Sequence, residues 1–472
     1  MSVLNSSPLD AALIGIFLLF CLALGFGGKK KDRSLTEYVL AGRTLSLPSF
    51  ALSLFSTWYG GILGVGEFVY GYGISSWVLQ GIPYYFFAIA FAVLFSQNVR
   101  KSQVLSLPDL LEKNYGKHFS MWGSLLTFVL SSPAPYLLMM AVLIQYVFGW
   151  TFWMSMAVGA LISTLYLFWK GFAADVLTDV VLGIFMLAAF LALALYLIFF
   201  QTPLQTVVHD LPPLHLEWDG GQSMQFVAVW FFIALWTLVD PSFYHRCLAA
   251  KDDRTARKGI FVSILLWFVF DMCTLTAGLY ARVLLPHLEK PLFAFPELAN
   301  SIVPPGWRAL FYMGMFATII TSFTSFVFVS GVSLGKDMIA RFLDEHRESH
   351  VRTWIQFSMG ISLALGSILV LWFPSVVQLW YTIASVAVPG LLFPLCFGMI
   401  GIFCRRMWVF SSSVMGVVAS CGWLAWGQAH LVEGYPSYPW GMEPMIPGLL
   451  ISLLFCVLGI RKKTTYEVKS HS

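Results

Sequence analysis

Apolar residues in this chain come in blocks of about twenty, separated by short polar stretches. Roughly 18 mostly apolar residues in a helix suffice to cross a bilayer. Thirteen segments read as spans on that basis: 8–27, 47–71, 75–97, 121–148, 152–169, 174–200, 225–249, 258–284, 306–340, 353–373, 376–404, 408–428 and 446–461. Segment 152–169 is short, and 376–404 is long, with Pro389 and Gly390 placed to interrupt it. The pattern predicts an all-α polytopic membrane protein of about 13 transmembrane helices, a single domain over 1–472. The longest connections, 201–224 and 285–305, are Pro-rich with short amphipathic pieces, and suit either lids or plain connectors.

Polar residues inside these blocks are the exceptions that carry information. In "ATIITSFTSFVFVS", Thr318, Thr321, Ser322 and Ser325 recur at i, i+3, i+4 and i+7, which sets four hydroxyls on one stripe of a helix. Facing lipid, such a stripe would leave polar groups without partners, so it faces protein, water or an ion. Interhelical contact alone also accounts for it. Two spans carry expected breaks. Gly60, Gly61, Gly64 and Gly66 crowd 47–71, and Asp240–Pro241 falls within 225–249. Proline removes a donor and collides with the preceding turn, freeing carbonyls to act as ligands. Spans 2–6 and 7–11 form two blocks of five, 47–200 and 225–404. A duplicated block with an odd number of spans inserts upside down, the arrangement of secondary transporters with interrupted first repeat helices.

Composition agrees: 472 residues, 58% hydrophobic and 11% charged, too much apolar surface for a soluble protein of this length. All but three of the 28 basic residues, Arg282, Lys290 and Arg308, fall in alternate connections or in the tail. Because Lys and Arg favour the cytoplasmic side, the predicted orientation in a cell (inner) membrane is N-terminus outside, C-terminus inside. The net charge of +4 then reflects topology and not nucleic-acid binding. The first span lacks a basic leader and is followed by "GKKKDR", as in a retained helix. The seven cysteines read as small core residues without disulfides. No phosphate-binding glycine loop, nucleophile elbow or metal-spaced histidine cluster is present, which disfavours a pump driven by ATP and an intramembrane hydrolase.

Four stretches in order resemble the sodium:solute symporter family: "EYVLAGRTLSLPSFALSLFSTWYGG" its first core helix, "AADVLTDVV" its fifth, "DPSFYHRCLAAKDDRTARKG" its sixth and "TSFTSFVFVSGVSLGKDMI" its eighth. The resemblance implies a LeuT-type core of five plus five inverted helices, with 8–27 and the last two spans as additions. It also implies a sodium site of carbonyls from Ser56, Tyr59 and Thr318 and hydroxyls from Thr321 and Ser322. Neutral oxygens suit a hard monovalent cation. A second sodium site, found in some members, maps to Asp179, Thr321, Thr324 and Ser325. The family's Gln-Arg after the sixth-helix break reads His245-Arg246 here, and no arginine in 121–148 offers a carboxylate clamp.

Asp179 amid "VLTDVVLGIF" is costly in lipid and so a functional candidate, whereas Asp175 is expected near the aqueous face. Glu67 suits a cationic solute, an outer gate or a bond to a neighbouring helix. Asp240 either approaches the solute or caps the broken helix. The remaining candidates for the solute are Trp58, Gly60, Gly61, Leu63, Ser132, Trp236 and Tyr381, with aromatic packing as the alternative for the rings. His245 reads as a helix-end residue on the cytoplasmic side. The resulting expectation is a sodium-driven symporter for a small polar solute, an amino acid or similar neutral or zwitterionic nutrient. It needs no cofactor beyond Na⁺ as coupling ion and works as a monomer in the bilayer. A proton-coupled carrier and a transporter-like ligand sensor are the alternatives.

Overall fold

The computed structural model describes residues 7–27, 34–373, 375–432 and 435–461. The "GKKKDR" run and, apart from Arg461, the basic tail used in the orientation argument lie outside them. Among the described residues eleven helices are long and apolar enough to cross a membrane: Pro8–Phe26, Ser75–Leu94, Lys117–Phe148, Phe152–Lys170, Phe172–Phe200, Met224–Ala249, Asp253–Leu284, Trp307–Ala340, Glu348–Trp372, Val376–Ile400 and Arg406–Ala429. The expected span 47–71 is instead two shorter helices, Leu47–Trp58 and Ile62–Tyr72, and the last segment is a helix of 14 residues, Met445–Leu458. The strands Leu431–Val432 and Tyr435–Pro436 form one small antiparallel pair.

Local chemistry explains where these helices start and break. Ser46 caps Leu47–Trp58 through the Ser49 N–H, with Pro48 in the first turn, where a missing N–H costs nothing. Met224–Ala249 runs as α-helix to Ile233, tightens over Ala234–Leu238, and restarts at Pro241 with Asp240 as its cap. Lys117–Phe148 bends at Ser131–Pro133. Val376–Ile400, by contrast, is continuous, against the expected interruption. Pro394 cannot donate to the Gly390 carbonyl, and Ser413 Oγ does so instead at 2.5 Å. A neighbouring helix thus supplies the donor that proline lacks.

Helix Trp307–Val332, with its continuation to Ala340, lies at the centre. It packs against Phe172–Phe200, Leu47–Trp58, Ala134–Phe148, Glu348–Trp372 and the N-terminal helix, and nearly all its residues are buried. Large apolar side chains such as Ile184, Phe199, Leu265 and Trp372 point outward instead, as lipid-facing residues do. At one end, the wide turns Ser333–Ala340 bring Lys336 and Arg341 onto Asp109, at 2.8 and 2.6 Å, from the connecting helix Leu107–Tyr115. Burial would raise the Asp109 pKa, but Lys336 and Arg341 outweigh it and hold the carboxyl down at about 2.

The added N-terminal helix is tied to this centre by charge. Asp10, fully buried, accepts from the Gly306 N–H at 2.8 Å and from Arg308 Nη2 at 2.5 Å. Removing one partner of such a pair strands the other and costs about 3 kcal/mol or more. Arg308→Ala should therefore lower the midpoint of thermal unfolding in detergent well beyond the change seen for Lys290→Ala, in an exposed connection. Equal midpoints for the two variants would show that the pair does not hold the helix.

Candidate functional site

The hydroxyl stripe of Trp307–Val332 faces the break between Leu47–Trp58 and Ile62–Tyr72. Thr321 Oγ1 donates to the Ser56 carbonyl at 3.0 Å, and Ser322 Oγ donates to the Thr57 carbonyl. The Thr318 carbonyl receives Thr321 Oγ1 at 3.0 Å and Ser322 Oγ at 3.5 Å. Four of the five expected sodium ligands, Ser56, Thr318, Thr321 and Ser322, are thus joined in one buried cluster. The Thr57 carbonyl joins them, and the Tyr59 hydroxyl goes to Asp271. The cluster offers only neutral oxygens, two of them hydroxyls able to turn from donor to ligand, which fits Na⁺.

The glycines at the break serve space and not unusual dihedrals, since neither Gly60 nor Gly61 has a positive φ. A Cβ on Gly60 would collide with Ser322 and Tyr136, and one on Gly61 with the Trp380 ring.

The residues expected to form a second sodium site come together only in part, around a cation already supplied by the chain. Arg246 is fully buried. Its Nη2 lies 2.8 Å from Asp179 Oδ2 and 2.9 Å from Ser325 Oγ, and its Nε donates to Ser53 Oγ at 2.8 Å. Asp175 lies 4.0 Å from the same Nη2 and accepts from Ser325 Oγ at 2.7 Å. Thr324 Oγ1 bonds the Thr321 carbonyl of its own helix, and Thr321 points to the other site. Asp175, expected near water, is fully buried, and so is Arg246, expected among the inner-loop charges. His245 is likewise interior, its Nε2 donating to the Val39 carbonyl at 2.7 Å.

Beside the break a cavity of about 220 Å³ opens toward the end of the bundle that carries Val229 and Glu443. That is several times the ~30 Å³ share of a water molecule in the liquid, so it holds more than an ion. Of the candidates for the solute, Trp58, Gly61, Trp236, Asp240 and Tyr381 line it. Gly60, Leu63 and Ser132 do not. Gly60 packs on Ser322, Leu63 is fully buried, and Ser132 accepts the Ala134 N–H at the helix bend. Glu67 is outside the cavity walls. The Trp58 ring is held between Tyr84, Phe243 and Trp267, with centroids 5.2, 5.4 and 5.6 Å away. Asp271 and Glu443, which sequence reasoning passed over, are also in the walls. Asp271 receives both the Tyr59 and Tyr85 hydroxyls, and Glu443 that of Tyr381. An acid inside "WFVFDMCTL" was the available signal, by the argument already applied to Asp179.

The model of the sodium:solute symporter family matches residues 38–409. The sodium/pantothenate symporter of Escherichia coli (strain K12) is 24% identical over 486 residues, covering 97% of this chain and 96% of that protein. The sodium/proline symporter of Staphylococcus aureus (strain USA300) is 23% identical over 473 residues, covering 94% and 90%. Among solved structures, a substrate-bound, outward-open Na⁺-coupled sialic acid symporter superposes with a TM-score of 0.79 at 13% identity, over 97% of this chain and 99% of that one. A nucleobase-cation-symport-1 family transporter superposes with 0.58, also at 13% identity, over 91% and 94%. At such identities the superpositions establish the fold alone, that of a LeuT-type Na⁺ symporter.

The Arg246 cluster yields a double-mutant prediction. Asp179→Asn and Arg246→Gln should each destabilise the protein, since each leaves buried charge short of a partner. Combined, they should cost less than the sum, by about 1–3 kcal/mol of coupling. Thermal melts of the four proteins in detergent read this directly, and strict additivity would show that the two groups do not pair.

Proposed function

The chain belongs to the sodium:solute symporter family, and from that premise we propose that it imports a small polar organic solute, coupled to Na⁺ bound by Ser56, Thr318, Thr321 and Ser322. The observation carrying this reading is the pair of contacts from Thr321 and Ser322 to the carbonyls of the broken helix. Sodium replacing those two hydrogen bonds draws the eighth core helix and the first together. That movement completes the neighbouring cavity, lined by Trp58, Gly61, Trp236, Asp240 and Tyr381, for the solute. The two blocks 47–200 and 225–404 act as inverted repeats that rock about this point and release both cargoes on the other side. One Na⁺ draws about 2.3 kcal/mol from each 100 mV of membrane potential.

A single coupling ion is the favoured stoichiometry, because Arg246 already pairs with Asp179, the carboxylate that a second ion would use. A proton-coupled cycle remains the competing reading, supported by the presence of Asp240 and Asp271 in the cavity. Replacing Na⁺ by K⁺ at fixed pH separates the two. Uptake that survives the replacement and follows the pH gradient would establish the proton.

Thr321→Ala and Ser322→Ala each remove one ion oxygen without stranding a charge. The expected outcome is at least a tenfold rise in the Na⁺ needed for half-maximal uptake, equivalent to about 1.4 kcal/mol. Unchanged sodium dependence in both variants would move the ion elsewhere.

The orientation, with the N-terminus outside a bacterial inner membrane and the C-terminus in the cytoplasm, rests on the basic-residue count. In a background cleared of reactive native cysteines, Glu217→Cys and Trp440→Cys should react with an impermeant maleimide on intact cells. Arg257→Cys and Leu343→Cys should react only after permeabilisation. The reverse pattern would invert the topology.

A further inference from the structure

The cavity is one-sided in its charge. Asp240, Asp271 and Glu443 contribute carboxylates to its walls, while no Lys, Arg or His does. Other buried acids of the bundle lie beside cations: Asp10 beside Arg308, Asp175 and Asp179 sharing Arg246, and Asp337 beside Lys336. Among the described residues, none of the three cavity acids forms an ion pair. An isolated carboxylate in such surroundings is strongly disfavoured unless a positive charge joins it or a proton neutralises it.

Asp240 is the most committed of the three. It is 1% exposed, and its recorded hydrogen bonds, from the Ser242 N–H at 2.7 Å and Ser242 Oγ at 2.5 Å, both fall on Oδ1. Asp240 lines the cavity, and among the described residues no Lys, Arg or His pairs with it. Two of the four tyrosines in the walls spend their hydroxyls on the cavity's own acids, Tyr59 on Asp271 and Tyr381 on Glu443. The rest of the wall is rich in rings: about a third of its residues are aromatic, against 17% of the chain, and Trp58, Trp236 and Trp380 are among them. Aromatic faces attract organic cations, tryptophan most strongly.

We infer that the solute is an organic cation, whose primary or quaternary ammonium group pairs with the Asp240 carboxylate between aromatic walls, with no carboxylate of its own to be met by the cavity. This rests on the reading of the cavity as the solute site and sharpens it. An amino-acid-sized nutrient is retained, a neutral or acidic one is not. Coupled to one Na⁺, the cycle moves two positive charges per solute.

The test uses the purified full-length transporter in Na⁺ buffer. Binding is read by thermal shift and tryptophan fluorescence with tetramethylammonium, choline, butylamine and agmatine. The comparison ligands are the uncharged choline isostere 3,3-dimethyl-1-butanol, together with proline and pantothenate. At least one of the cations should bind tenfold or more tightly than the comparison ligands, and Asp240→Asn should weaken that binding at least tenfold. Trp236→Ala should weaken it as well. In proteoliposomes under voltage clamp the charge moved per cation should be two. If proline, pantothenate or the uncharged isostere binds best and Trp236→Ala abolishes that binding, the cavity stands as the solute site and the cation assignment falls. If a cation binds undisturbed by both Asp240→Asn and Trp236→Ala, the cavity itself is not the site. Failure of all four cations to bind overturns the inference too.

Discussion

A broken helix in a bilayer must find partners for its own freed backbone, because lipid offers none. Much of this structure answers that requirement at the Trp58–Gly61 break. The partners come from a single neighbour, the buried helix Trp307–Val332, whose Thr321 and Ser322 reach the Ser56 and Thr57 carbonyls. That contact needs close approach of the two backbones, so glycine occupies positions where a Cβ would strike Ser322 or Trp380. Under the proposed function, ion binding and helix packing are alternative uses of the same oxygens, and a sodium ion entering there would exchange hydrogen bonds for coordination.

Charge in the interior is divided between two kinds of place. Around Arg246 the fifth, sixth, first and eighth core helices converge, and Asp175 and Asp179 share its single positive charge. Beside it the cavity acids face no basic residue. Asp240 has two parts to play: as a cap it orders the restarted helix at Pro241, and it also lines the cavity.

The architecture was legible in the sequence because membrane helices announce themselves by length, and the hydroxyl stripe because its period is that of a helix. The break at Asp240–Pro241 was legible for the chemistry of its residues. What escaped detection involves partners distant in sequence. Arg246 was grouped with loop charges because the basic run after it is one, and its pairing with Asp179, 67 positions away, leaves no local trace. Asp175 was assigned to water for want of the same partner. Asp271 was overlooked although it sits inside a plainly apolar block, where the logic used for Asp179 applied unchanged. Val376–Ile400 was expected to break at Pro389 and Gly390 but is continuous, and the neighbour's Ser413, invisible to a local reading, supplies the donor that Pro394 lacks.

The tie between Asp10 and Arg308 has a consequence for how the protein is made. The two residues are separated by 298 positions, so the ribosome finishes the acid long before it reaches the arginine. At roughly 5–20 residues per second the interval is about 15–60 s. Throughout it the first helix carries an acid near its end with no final partner. Docking of that helix is thus a late step of biogenesis, and nascent chains stalled before residue 308 should keep it accessible to the insertion machinery instead of sealed against the bundle.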